Sequence, residues 1–158
     1  MRSTRRSRNL EATKEVLYVK TYSSNDIVKG GFGGGHLAQE GDGVWINCYL
    51  PWNFDDLTEA KLVLIPVTTL TPMTLRIITN YGLAGEGYNV GGETLDKSIN
   101  TVANRITELD IADCLDTRSL APEMYIGVQA RMHAGQNTNA LIIGVKLRYN
   151  ISIYAHAP

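Results

Sequence analysis

Between residues 59 and 150 the chain spells a succession of short β-strands separated by turn residues, and no segment between them carries a helical period. The runs at 60–67, 73–80, 106–115, 124–133 and 140–149 are rich in β-branched and aromatic residues and bounded by Gly, Pro, Asn and Asp. Strands this short can bury their apolar faces only by pairing into sheets that pack on one another. The expected fold class is therefore all-β, a single antiparallel β-sandwich. Earlier runs at 14–22 and 43–50 extend the pattern. In the first, Val16, Tyr18, Lys20 and Tyr22 alternate with Leu17, Val19 and Thr21; in the second, Val44, Ile46 and Cys48 alternate with Trp45, Asn47 and Tyr49.

A chain of 158 residues is one domain's worth and can bury about two-thirds of its unfolded surface. No apolar run approaches the ~20 residues that span a bilayer. The N-terminus is charged but lacks the apolar stretch of a secretory signal. The net charge of −1 hides an asymmetry, because Arg2, Arg5, Arg6 and Arg8 crowd the first eight residues. Setting those four aside leaves 11 basic against 16 acidic residues, a body near −5. Residues 1–12 are thus expected to form a flexible basic arm, and 13–158 the sandwich. Two readings stand for the arm: contact with nucleic acid or an acidic neighbouring subunit, or a solubilising tail.

The stretch 29–36 holds five glycines. A phosphate loop needs a strand before it, a helix after it and, for one type, a Gly-Lys-Ser/Thr ending; here residues 37–43 follow and soon meet another strand, so nucleotide binding is rejected and a flexible loop expected. The run 60–67 is apolar on both faces, as for a central strand covered on two sides or one lying at a subunit contact. After Leu50, Trp52 and Phe54 stand beside Asp55 and Asp56. Such a cluster can stack on a sugar or cradle a cation, but more often the aromatics plug the end of a sandwich. Residues 81–95 form a long excursion with five glycines, either a recognition loop or a crossover between sheets. Tyr81, Glu86, Tyr88 and Asn89 are its candidate contact residues. An edge strand is expected at 97–102 and a helical turn within 113–122, ended by Pro122. The runs 124–133 and 140–149 read as a hairpin, the second with Ile143, Val145, Leu147 and Tyr149 on one face.

Sites for chemistry are sparse. Cys48 and Cys114 fit neither a disulfide framework nor a metal motif and are expected as buried free thiols. His36, His133 and His156 lack ligand spacing, so no metal and no cofactor is expected. Asp55/Asp56 and Asp113/Asp116 could join spatially as a glycosidase pair, but any β-domain offers surface carboxylates. No catalytic residues are assigned and the protein is expected not to be an enzyme.

The segment 50–149 resembles small β-sandwich proteins of tailed phages and metagenomic viruses. The matching phrases are Leu50-Pro51-Trp52-Asn53-Phe54, residues 57–66, Ala84-Gly85-Glu86-Gly87-Tyr88-Asn89, residues 105–111, Tyr125-Ile126-Gly127-Val128 and residues 143–149. The resemblance implies a jelly-roll-like sandwich in a virion: capsid, capsid decoration or tail fibre, self-assembling as a homotrimer or larger and contacting other virion proteins. The Pro122-Glu123-Met124-Tyr125 stretch departs from the Gly-Asp turn expected of such proteins. The basic arm is likewise not part of the resemblance, though small jelly-roll coat proteins of other viruses carry such arms against their genome. A reading from another class is a carbohydrate-binding module, or a receptor-binding domain for surface glycans, with Trp52, Tyr81 and Tyr88 as stacking platforms.

Overall fold

The computed structural model describes residues 9–135 and 139–154. Eleven strands are present among them: β1 (Asn9–Val19), β2 (Tyr22–Ser23), β3 (Asp26–Lys29), β4 (Phe32–Leu37), β5 (Gly43–Tyr49), β6 (Phe54–Pro66), β7 (Met73–Gly82), β8 (Thr94–Ile99), β9 (Thr107–Asp110), β10 (Tyr125–Met132) and β11 (Ala140–Tyr154). One 3-10 turn, Ala112–Cys114, falls where the helical turn was expected, starting a residue earlier. All pairings are antiparallel. A six-stranded sheet runs β3-β4-β11-β6-β9, with β1 also on β11, and a five-stranded sheet runs β2-β5-β10-β7-β8. The expected sandwich is the observed one.

The core lies between the sheets. Val44, Ile46 and Cys48 of β5, Ile126, Val128 and Ala130 of β10, and Leu75 and Ile77 of β7 meet Leu62 and Leu64 of β6 and Val145 and Leu147 of β11. Both cysteines are buried free thiols, as expected. Phe54 plugs one end against Tyr149, their ring centroids 5.8 Å apart.

Several expectations are corrected. The runs 124–133 and 140–149 do not form a hairpin: β10 lies in the five-stranded sheet and β11 in the six-stranded one. Alternation tells which face of a strand is buried and is silent about its neighbour. Ile143 does not share a face with Val145. The register of β11 on β6 shifts between Ile142 and Gly144, and this irregularity turns Leu141 and Ile143 outward while Ile142, Val145 and Leu147 stay in the core. The arginines assigned to the arm, Arg2, Arg5, Arg6 and Arg8, lie outside the described residues. Residues 9–12, counted with them, instead begin β1 opposite 151–154 of β11, because backbone pairing needs no apolar side chain.

The glycine stretch is not a loop. It forms the β3–β4 hairpin, and its Gly34 and Gly35 sit where side chains are barred. A Cβ at Gly34 would stand 2.3 Å from the Ile142 carbonyl oxygen, and one at Gly35 2.4 Å from Val44 Cγ2. β4 pairs with β11 only at residues 140–142; from Gly144 onward that edge of β11 belongs to β1. The freed part of the hairpin crosses the outer face of the sheet. Ile27 packs there on a second apolar cluster of Val63, Ile65, Leu141 and Ile143, and Lys29 Nζ donates to Asn104 Oδ1 at 2.5 Å. β6 is therefore the central strand covered on both sides that its sequence announced. The other half of the same face carries charge: Arg148 bridges Glu15 and Glu59, each at 2.6 Å, and Lys61 and Lys146 meet Glu108 at 3.4 and 2.5 Å.

Candidate functional site

The outer face of the five-stranded sheet follows from register alone. Because inward and outward positions alternate, β10 presents Tyr125, Gly127, Gln129 and Arg131 outward, each opposite an outward residue on both neighbours. The rows across β5, β10 and β7 read Tyr49-Tyr125-Gly82, Asn47-Gly127-Asn80, Trp45-Gln129-Ile78 and Gly43-Arg131-Arg76. Arg76 continues to Asp96 on β8. Gly127 stands between two amides and leaves a trough, since a Cβ there would meet only the Asn80 carbonyl, at 3.9 Å.

The long excursion closes one end of this trough. Its first residues belong to β7, and Tyr81 pairs with Gly91 through reciprocal bonds of 2.9 and 3.1 Å. Thr79, buried, donates to the Cys114 carbonyl at 2.5 Å and accepts from the Glu93 amide at 3.1 Å. The excursion is thus the connection of the β7–β8 hairpin and not a crossover between sheets. Within it, the Glu86 amide donates to the Leu83 carbonyl at 3.1 Å, and the Glu86 carboxylate accepts the Leu83 amide at 2.8 Å. Gly85 takes the φ of +90° that this turn requires at its third position. The turn folds back over β7 so closely that a Cβ at Gly82 would stand 2.7 Å from the Gly87 carbonyl oxygen.

The result is a cleft of about 710 Å³ floored by Asn47, Asn80 and Gly127 and walled by Trp45, Tyr125 and the 82–88 turn with Tyr88 at its lip. A smaller hollow of about 90 Å³ continues it past Ile78 and Gln129. Tyr125 leans on Tyr49 at 5.1 Å and Trp45 on Tyr22 at 5.2 Å, both tilted pairs, which fixes the ring planes that face the cleft. Lost hydration, with Glu123 and Tyr125 nearby, raises the Tyr49 phenol above its ordinary pKa, so its hydroxyl stays neutral. The side-chain amides of Asn47, Asn80 and Gln129 form no hydrogen bond with other described residues. They offer donors and acceptors to whatever fills the trough.

Among the sequence candidates, the structure brings Glu86 and Tyr88 to the cleft. Glu86 is the one carboxylate among its described lining residues, and it is engaged by the turn. Tyr81 is not a stacking platform. It is 5% exposed, and its ring fills the space a Cβ at Gly91 would occupy, 2.0 Å from Tyr81 Cε2. Trp52 is 65% exposed but belongs to the turn between β5 and β6, away from the cleft lining, and Asn89 is exposed on the loop beyond Tyr88. Sequence reasoning missed Trp45, Asn47, Asn80, Tyr125 and Gly127 as one site. The available signal was the polar alternate face of 124–133, broken by Gly127. Glu123 carries the expected departure from a glycine turn: it adopts φ +62° where glycine would be unstrained.

No family model matches the chain, and no curated protein matches it in sequence. Solved structures with a similar arrangement include the CBM36-1 domain of a multidomain xylanase from the hindgut metagenome of Trinervitermes trinervoides, at 13% identity and TM-score 0.47, covering 86% of this chain and 96% of that one. A carbohydrate-binding module CBM36 in complex with calcium and xylotriose gives 11% and 0.47, covering 84% and 97%. A structure of Desmodium yellow mottle tymovirus gives 9% and 0.32, covering 100% and 97%. Likeness at this level says nothing about ligand or partner.

Proposed function

We propose that this protein is a non-enzymatic structural component of a virion (capsid, decoration or tail fibre) that recognises surface saccharide through the cleft on its five-stranded sheet. The cleft carries the recognition half. It joins aromatic planes to uncommitted amides, with its floor on strands and one wall on the 82–88 turn. Saccharides ask for that combination, since their C–H faces stack on rings while their hydroxyls exchange hydrogen bonds with amides. The virion half rests on the sequence resemblance, and self-assembly is favoured by one further observation. Leu17, Val19, Val28 and Phe32 on the strands at the β1/β3/β4 side, with Val102 and Ile106 before β9, are all more than a third exposed, more apolar surface than a lone sandwich needs.

One experiment reads both halves. Full-length wild type and Gly127→Trp are applied to a glycan array, and their masses are measured by light scattering. The expected result is array binding by wild type, lost in Gly127→Trp at unchanged Tm and mass, with both proteins trimeric or larger. Equal binding by the two proteins, or none by either, removes the cleft as the recognition site. A monomer at all concentrations removes self-assembly.

A further inference from the structure

The charge pattern at the far end of the cleft identifies what kind of saccharide fits. Along β10, Tyr125 to Arg131 spans six residues, roughly 20 Å of extended strand. The next outward row beyond the smaller hollow is Gly43-Arg131-Arg76-Asp96. Arg76 and Arg131 stand directly opposite each other on one face, a juxtaposition that destabilises a sheet unless each charge is compensated. Arg76 is compensated: its Nε and Nη2 donate to the two Asp96 oxygens at 2.9 and 3.1 Å. His133 Nε2 is a further neighbour of Asp96, at 3.2 Å. Arg131 is not: it is exposed and forms no hydrogen bond or ion pair with any other described residue. On its β5 side is Gly43, with Trp45 lying over it, since a Cβ at Gly43 would stand 2.8 Å from Trp45 Cη2 and 3.1 Å from Gln129 Nε2. The Trp45 indole therefore covers the residue paired with Arg131, one outward row beyond the amide-lined trough.

We infer that the ligand is an acidic oligosaccharide running along β10, with a sugar ring over Trp45 and its anionic group on the Arg131 guanidinium. This inference rests on the saccharide reading of the cleft. A guanidinium presents paired N–H donors that match a carboxylate bidentately, and it serves a sulfate or phosphate ester with the same fork. The proposal requires the anion and leaves its identity to the assay. The neutralised Arg76–Asp96 pair beside it keeps a second cation from competing for the anion.

The test is an array carrying neutral, carboxylated, sulfated and phosphorylated glycans, read with wild type and Arg131→Gln, followed by titration of the strongest hit against its uncharged analogue. The expected outcome is that wild-type hits carry an anion and that Arg131→Gln loses about tenfold in affinity for them, the worth of a charge-assisted hydrogen bond, while binding of the uncharged analogue stays within about twofold. The class of acidic glycan retained names the anion. Hits confined to neutral glycans, or acidic hits indifferent to Arg131→Gln, overturn this inference and leave the saccharide reading standing. An array with no hits overturns both.

Discussion

Gly34→Ala, set against Gly33→Ala, tests the structural reversal of the glycine stretch. The two positions are adjacent in β4, and neither has a positive φ. A Cβ at Gly33 meets nothing within 4 Å. Gly33→Ala should then only restrict the unfolded chain and raise stability by about 0.4–1 kcal/mol. At Gly34 the new carbon would stand 2.3 Å from the Ile142 oxygen, 2.8 Å from Leu141 Cδ1 and 3.1 Å from the Ile142 carbonyl carbon. Leu141 is a side chain and can turn away; Ile142 is backbone, held in β11 between β4 and β6. Overpacking costs about 1–3 kcal/mol where side chains can shift, and a fixed carbonyl puts Gly34→Ala at the top of that range, near 3 kcal/mol. The two variants should thus differ by about 3.5–4 kcal/mol. With a urea slope near 2 kcal/mol/M, that separates their unfolding midpoints by roughly 2 M. Midpoints within about 0.3 M of each other would show that β4 does not lie against β11, and the packing of Ile27 over Val63, Ile65, Leu141 and Ile143 would fall with it.

Two further outcomes concern titration. Lys146, chiefly through its hydrogen bond, holds the Glu108 carboxyl below its usual pKa despite partial desolvation, and Lys97 does the same for Asp113. A depressed carboxylate stabilises above its unfolded pKa, near 4, and loses that contribution as pH falls through the folded value. Urea midpoints should hold from pH 7 to about 5 and fall below about 4, less steeply in Lys146→Met; identical acid slopes in the two proteins would refute the pairing. Burial pushes the thiols of Cys48 and Cys114 up to about 12. Both should resist an aromatic disulfide reagent at pH 8 in the folded protein and react at once in guanidinium, whereas rapid native labelling of either would place it at the surface.

Much of the architecture was legible residue by residue. Alternation at Val44-Ile46-Cys48 and at Leu62-Leu64 predicts which side chains enter the core, because a strand's side-chain period of two is a local property of the backbone. The doubly apolar run at 60–67 predicts a strand covered on both faces, and β6 is one. Local rules stop at pairing. Nothing in 124–149 distinguishes a hairpin from a passage between sheets, and the β11 irregularity that turns Ile143 outward appears only against the register of β6. Glycine is similarly ambiguous: at Gly85 it serves a turn that needs positive φ, while at Gly34 and Gly35 it serves close approach of strands, and only their neighbours tell the two uses apart.

The sequence by itself determined an all-β sandwich, the location of most strands, the burial of both cysteines and the presence of Glu86 and Tyr88 on a long glycine-rich loop. Tertiary structure alone decided that Tyr81 turns into the core, that the glycine hairpin packs over a second apolar cluster, and that Trp45, Asn47, Asn80, Tyr125 and Gly127 share one cleft. Those residues span more than 80 positions of the chain and carry no common motif. They meet because three antiparallel strands set every second side chain beside its neighbours', and that register is fixed by the packing of the opposite face.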